Sequence, residues 1–171
     1  MSNPKTFKNS GMEITLRKDF YDTFDEQLKK ITSETEVSYI GHNIIKNYRE
    51  PGHKISTFCN HETWHDLYWN KYLHHDPMEK VVHETLRKSN FAVVSWEIGQ
   101  NQSECGQERA KLLRVKDGVF FSFKRPENFF ETFIIGWDTL NTDKLDVDYI
   151  LQLTSLLKPI RDHHWEVLNN S

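Results

Sequence analysis

Two runs dense in β-branched and aromatic residues, Val119 to Lys124 and Phe129 to Trp137, stand on either side of Pro126, Glu127 and Asn128. A Pro-containing break between two such runs is a hairpin signature, so this stretch commits the chain to a sheet. Three more runs have the same character. Val37 to Lys46 and Ile55 to Cys59 are separated by a Pro51-Gly52 turn and read as a second antiparallel pair. Phe91 to Trp96 reads as a short fifth strand.

The intervening segments have helical spacing. Phe20, Phe24, Leu28 and Ile31 predict an amphipathic helix over 16–33. Asn60 is a good N-cap for a helix over 61–72 with Trp64, Leu67 and Tyr68 on one face. Pro77 fits the first turn of a helix over 77–88, and 108–115 forms a short helix before Asp117-Gly118. Residues 97–104 read as a polar surface loop. A last helix runs from Asp143 to Leu168, with Pro159 expected to kink or break it. Residues 1–15 read as a flexible tail and 16–171 as one domain. This order of elements is a mixed α/β (α+β) pattern, and it predicts a three-layer α-β-α sandwich around a five-stranded antiparallel sheet.

Composition narrows the functional classes. The chain has 171 residues, enough for one domain, and a net charge of −3. That balance offers no basic footprint for nucleic acid and no polybasic membrane patch. Hydrophobic residues are only 37% of the chain, so its 5 Trp, 6 Tyr and 11 Phe must fill much of the core. Two cysteines, Cys59 and Cys105, make no secreted disulfide framework. No leader and no membrane-spanning run is visible, and the expected location is the cytoplasm.

The densest stretch runs from Trp64 through Tyr68, Trp69 and Tyr72 to Asp76-Pro77, and Trp96 follows after the next helix. In this order of aromatics and acid the chain resembles the autoinducer-binding domain of LuxR-type regulators over roughly residues 16–165. The short helix, strand, Pro-containing turn and strand of Glu108 to Gly136 resemble that family too. The resemblance implies a PAS/GAF-like sensory domain for quorum sensing that is not an enzyme and needs no cofactor. It implies a pocket for an N-acyl homoserine lactone between the sheet and the helices on one face. The ligand amide would donate to Asp76, the Trp64 indole would donate to the lactone carbonyl, and Tyr68 and Trp96 would form walls. Asn60 stands where the family often has Tyr and would be a polar lining residue. Glu131 stands where the family tends to have Gly. Nothing at the C-terminal end reads as a recognition helix. The expected partners are therefore a small molecule, a second copy or a related full-length regulator, with no direct nucleic acid and no membrane.

Two other readings use the same residues. His61-Glu62-Thr63-Trp64-His65 matches the His-Glu-x-x-His zinc-hydrolase pattern, in which two histidines on one helix face bind zinc and the glutamate activates water. Asp76, His83 and Glu84 are the candidate third ligands. Alternatively, Trp64, Tyr68 and Trp96 are core aromatics of a ligand-free structural adaptor, and Asp76-Pro77 is only a helix cap.

Overall fold

The computed structural model describes residues 2–96, 103–138 and 146–171. Its strands form a mixed seven-stranded sheet in the order β1-β2-β4-β3-β7-β6-β5. The expected five strands are all present: β3 (Val37–Lys46), β4 (Lys54–Cys59), β5 (Phe91–Ser95), β6 (Asp117–Arg125) and β7 (Phe129–Trp137). The other two come from the segment expected to be a tail. There β1 (Lys5–Asn9) and β2 (Met12–Leu16) form a hairpin, and β2 pairs with β4 in parallel. Its turn, Ser10-Gly11, has φ of 50° and 82°, the left-handed pair that a two-residue hairpin loop requires. The hairpin is held because Ile14 and Leu16 are fully buried against Ile45, Ile55, Trp69 and Leu73. The polar edge strand β1 hid this short alternation.

Strand alternation sends side chains to two separate cores. Helices α1 (Phe20–Thr35) and α5 (Val147–Asn169) cover one face, where Phe20, Ile31, Leu153, Leu157 and Ile160 meet Ile40, Phe58 and Ile135. Helices α2 (Glu62–Leu67), α3 (Pro77–Lys88) and α4 (Glu104–Leu113) cover the other, where Trp64, Met78, Val82, Leu86 and Leu113 meet Tyr39, Cys59, Val94 and Phe120. A register shift between Val37 and Tyr39 lets Val37 and Ile40 share the α1–α5 side.

Three boundaries differ from expectation. Helix α5 passes through Pro159 as one helix. Pro159 and Ser155, whose carbonyl loses its partner, are both exposed, so water satisfies that group while the buried stripe holds the helix. Helix α4 starts at Glu104 because the Ser103 hydroxyl accepts from the Gly106 N–H at 3.0 Å. Helix α2 is continued by one π turn, Tyr68–Tyr72, and one 3₁₀ turn, Leu73–His75. Most of the expected loop over 97–104 lies outside the described residues, as does the start of the expected last helix.

Glu131, fully buried on the α1–α5 face, organises a polar chain. Its carboxylate accepts from Arg125 (2.7 Å), Arg161 (2.9 Å), the Trp165 indole (2.7 Å) and His42 Nε2 (2.9 Å). His42 Nε2 therefore carries the proton, and His42 Nδ1 must accept from His164 Nδ1 at 2.9 Å. His164 Nε2 in turn accepts from the Ser56 hydroxyl at 2.8 Å. Burial lowers the pKa of His42 and takes that of His164 well below the usual value, so both rings are neutral. Burial alone would raise the Glu131 pKa, but its hydrogen bonds from His42, Trp165 and Arg125 outweigh that and hold it far below the carboxylate range.

Candidate functional site

A cavity of about 320 Å³ lies between the sheet and the α2–α4 layer. Its sheet wall includes Tyr39, Asn43 and Ile45 of β3, Thr57 of β4 and Ile134 of β7. Its other wall carries Trp64, His65, Tyr68 and Asp76. A volume of this size suits a small organic molecule.

Asp76 does two jobs. It N-caps α3, with Oδ1 accepting from the Met78 N–H at 3.0 Å and Pro77 at the first helical position. Its Oδ2 lines the other side of the same carboxylate and accepts from Arg109 Nη2 at 2.6 Å and the Tyr68 hydroxyl at 3.0 Å. A carboxylate has about four acceptor directions, and three are used here. The Arg109 guanidinium is enclosed by rings, 5.1 Å from the Trp96 centroid, 5.6 Å from Trp64 and 5.8 Å from Phe120. Burial works against its charge, but Asp76 more than compensates and raises its pKa. Tyr68 is pushed well above its ordinary range by burial and then by Asp76. The Cys105 thiol beside Arg109 is pushed up to about 12, chiefly by burial, so it is no nucleophile.

Of the residues singled out from sequence, Trp64, Tyr68 and Asp76 line the cavity and Asn60 and Trp96 do not. Trp64 is almost wholly buried on the cavity wall, and among the described residues the indole N–H that is buried without a hydrogen-bond partner is that of Trp96. Asn60 instead fastens β3: its Oδ1 accepts from the Ile40 N–H at 2.9 Å and its Nδ2 donates to the Ser38 carbonyl at 3.1 Å. Trp96 is fully buried on Gly118, where a Cβ would stand 2.2 Å from the indole, and it forms the floor on which Arg109 lies.

His61 and His65 do not make the zinc arrangement. His61 has extended backbone and caps α2, its Nδ1 accepting from the Trp64 N–H at 3.1 Å. His65 faces the sheet, with Nε2 3.1 Å from Thr57 Oγ1, and Glu62 is held by Lys18. Asp76 is paired with Arg109, His83 is stacked on Tyr48, and Glu84 pairs with Lys80. Among the described residues no three His, Cys, Asp or Glu are grouped to hold a metal. The cavity also weighs against a scaffold plugged with aromatics. No helix among the described residues is long and apolar enough to cross a membrane.

Sequence reasoning missed Arg109, whose only signal is its place with Cys105 and Leu113 on the buried stripe of α4. Two polar groups on the cavity are built around His65 and His83, which the sequence offered only as zinc ligands. In one, Thr57 Oγ1 donates to Asn43 Oδ1 at 2.5 Å and meets His65, whose pKa is pushed down to about 3 by burial and then by Lys18. In the other, the Tyr48 ring stacks on His83 with centroids 3.6 Å apart while its hydroxyl donates to Glu79. Burial, and then Arg49, pushes the His83 pKa down to about 4.

No protein-family model matches the sequence, and no curated protein matches it. Solved structures do match. The chain is similar to CepR2 of Burkholderia cenocepacia, described as an N-acylhomoserine lactone dependent LuxR family transcription factor. The identity is 16%, the match covers 85% of this chain and 89% of that one, and the TM-score is 0.50. It is also similar to SdiA of Escherichia coli, with 18% identity, 86% of this chain and 62% of that chain covered, and a TM-score of 0.54. The chain thus spans less than two thirds of the SdiA chain. At these identities the likeness is one of architecture: the chain has the α+β fold found in LuxR-family regulators.

Proposed function

We propose that this chain is a sensing domain that takes a small amphipathic ligand, of the acyl homoserine lactone class, into the cavity between the sheet and α2–α4. It acts without catalysis, passing on occupancy by pairing with a second copy or a related full-length regulator in the cytoplasm. The observation that carries this reading is the Asp76 carboxylate. It is held by Arg109 and Tyr68 on a cavity walled by aromatic rings, with one acceptor direction open and the Trp64 ring on the same wall. A ligand N–H satisfies that acceptor direction, and a ligand carbonyl accepts from the Trp64 indole, which is a donor only. The apolar walls contribute about 25 cal/mol per Å² of ligand surface buried. The fold shared with a lactone-dependent regulator supports the same reading.

Thermal denaturation with a panel of acyl homoserine lactones tests it. Ligand at about 100 times its Kd stabilises a one-site protein by roughly 2.7 kcal/mol, which raises the melting temperature by several degrees. Absence of any shift across the panel at saturating concentration removes the lactone assignment.

A further inference from the structure

Asp76 and Trp64 account for one polar region of the cavity, but further along it polar atoms are left without partners. The wall follows β3, and from Tyr39 to Ile45 is six residue steps along the strand, about 20 Å. Tyr39 packs on Trp96 beside the Arg109 pair, whereas Ile45 pairs with Phe130 near Tyr48, His53 and His83. His53 is 7% exposed, and its Nδ1 accepts from the Arg49 N–H at 3.3 Å. Its Nε2 therefore carries the proton, and that buried N–H has no partner.

Between the two ends, Thr57 gives its only hydroxyl proton to Asn43, so His65 Nε2 donates to Thr57 and His65 Nδ1 is a bare lone pair. That nitrogen too is buried and unpartnered. Buried polar atoms are normally paired, and both of these rings line the cavity. A saturated alkyl tail would lay methylenes over both nitrogens and leave them unsatisfied.

We infer that the cavity selects a ligand polar at both ends, whose tail carries a hydrogen-bond acceptor, a hydroxyl or a carboxylate, placed to meet the His53 Nε2–H. This rests on the sensing reading above and specifies the ligand that reading leaves open. Arg49 is the cation on this part of the cavity and Glu79 the anion, so the two forms of the acceptor are distinguished by titration.

Calorimetric titration of the whole protein with N-decanoyl homoserine lactone, its 10-hydroxydecanoyl analogue and its 9-carboxynonanoyl analogue tests the inference. At least one polar-tailed analogue is expected to bind ten-fold or more tightly than the decanoyl compound. His53→Phe is expected to erase that advantage while changing decanoyl affinity less than three-fold, and His53→Gln, which keeps a donor, to retain it. If the decanoyl compound binds as tightly as both analogues, the inference fails and the sensing reading stands. If none of the three binds, both fail.

Discussion

Arg109 Nη2 lies 2.6 Å from Asp76 Oδ2, with the two side chains only 4% and 2% exposed. The pair fixes the carboxylate that faces the cavity, and at this depth neither charge tolerates losing the other. Arg109→Met is expected to cost about 3–5 kcal/mol, because it leaves an uncompensated buried carboxylate. Adding Asp76→Asn to that variant is expected to recover part of the loss, since the amide is neutral and still caps α3. Urea midpoints of the two single variants and the double variant measure this coupling.

Gly118 lies under the Trp96 indole, where a Cβ would come within 2.2–2.6 Å of ring atoms that cannot swing away. Gly118→Ala is expected to destabilise the fold by about 1–3 kcal/mol or more through overpacking. It should also disturb the ring that supports Arg109. Near-ultraviolet circular dichroism reports the displaced tryptophan, and denaturant unfolding gives the stability loss.

Five buried or partly buried histidines make the protein sensitive to acid. The pKa values of His42, His53, His65, His83 and His164 are all lowered, chiefly by burial, with His65 at about 3 and His83 at about 4. In the unfolded chain each takes up a proton as pH falls through about 6.5, while the folded chain does not. Stability is therefore greatest above that pH and falls below it, at up to about 1.4 kcal/mol per pH unit for each histidine. Glu131, with its folded pKa depressed, adds to the loss below about pH 4.5. Urea midpoints measured from pH 7.5 to pH 5 should decline with a slope steeper than one histidine provides, and His65→Gln should make that slope shallower.

Glu131 holds two arginines, a tryptophan and His42 to one buried carboxylate. Glu131→Ala leaves those donors facing one another and is expected to cost about 3–5 kcal/mol. Glu131→Gln keeps a carbonyl acceptor for His42 but loses the ionic partner of both arginines, and should cost less. Because this cluster lies across the sheet from the cavity, Glu131→Gln should leave ligand affinity unchanged in titrations below its melting temperature.

Much of this was legible in the sequence. Runs of β-branched and aromatic residues marked five of the seven strands, and the Trp64 to Pro77 stretch pointed to a cavity wall that includes Trp64, Tyr68 and Asp76. What escaped depended on partners distant in the chain. The β1–β2 hairpin is stabilised by a parallel pairing with β4, which no local pattern signals. Asn60 reads as a lining residue because it stands where the resembled family often has Tyr, yet its amide fits the backbone of β3. Arg109 reads as a solvated charge until α4 is packed against the aromatic cluster of Trp64, Trp96 and Phe120. Pro159 failed to break its helix because it falls on the exposed side.

The most direct measurement is a crystal structure of the protein grown with the tightest-binding lactone of the panel. The expected result is ligand density inside the cavity, with the ligand amide nitrogen within hydrogen-bond distance of the Asp76 carboxylate and its carbonyl on the Trp64 indole. Ligand density confined to the surface, with the cavity collapsed or Asp76 untouched, would contradict a sensing role for this site.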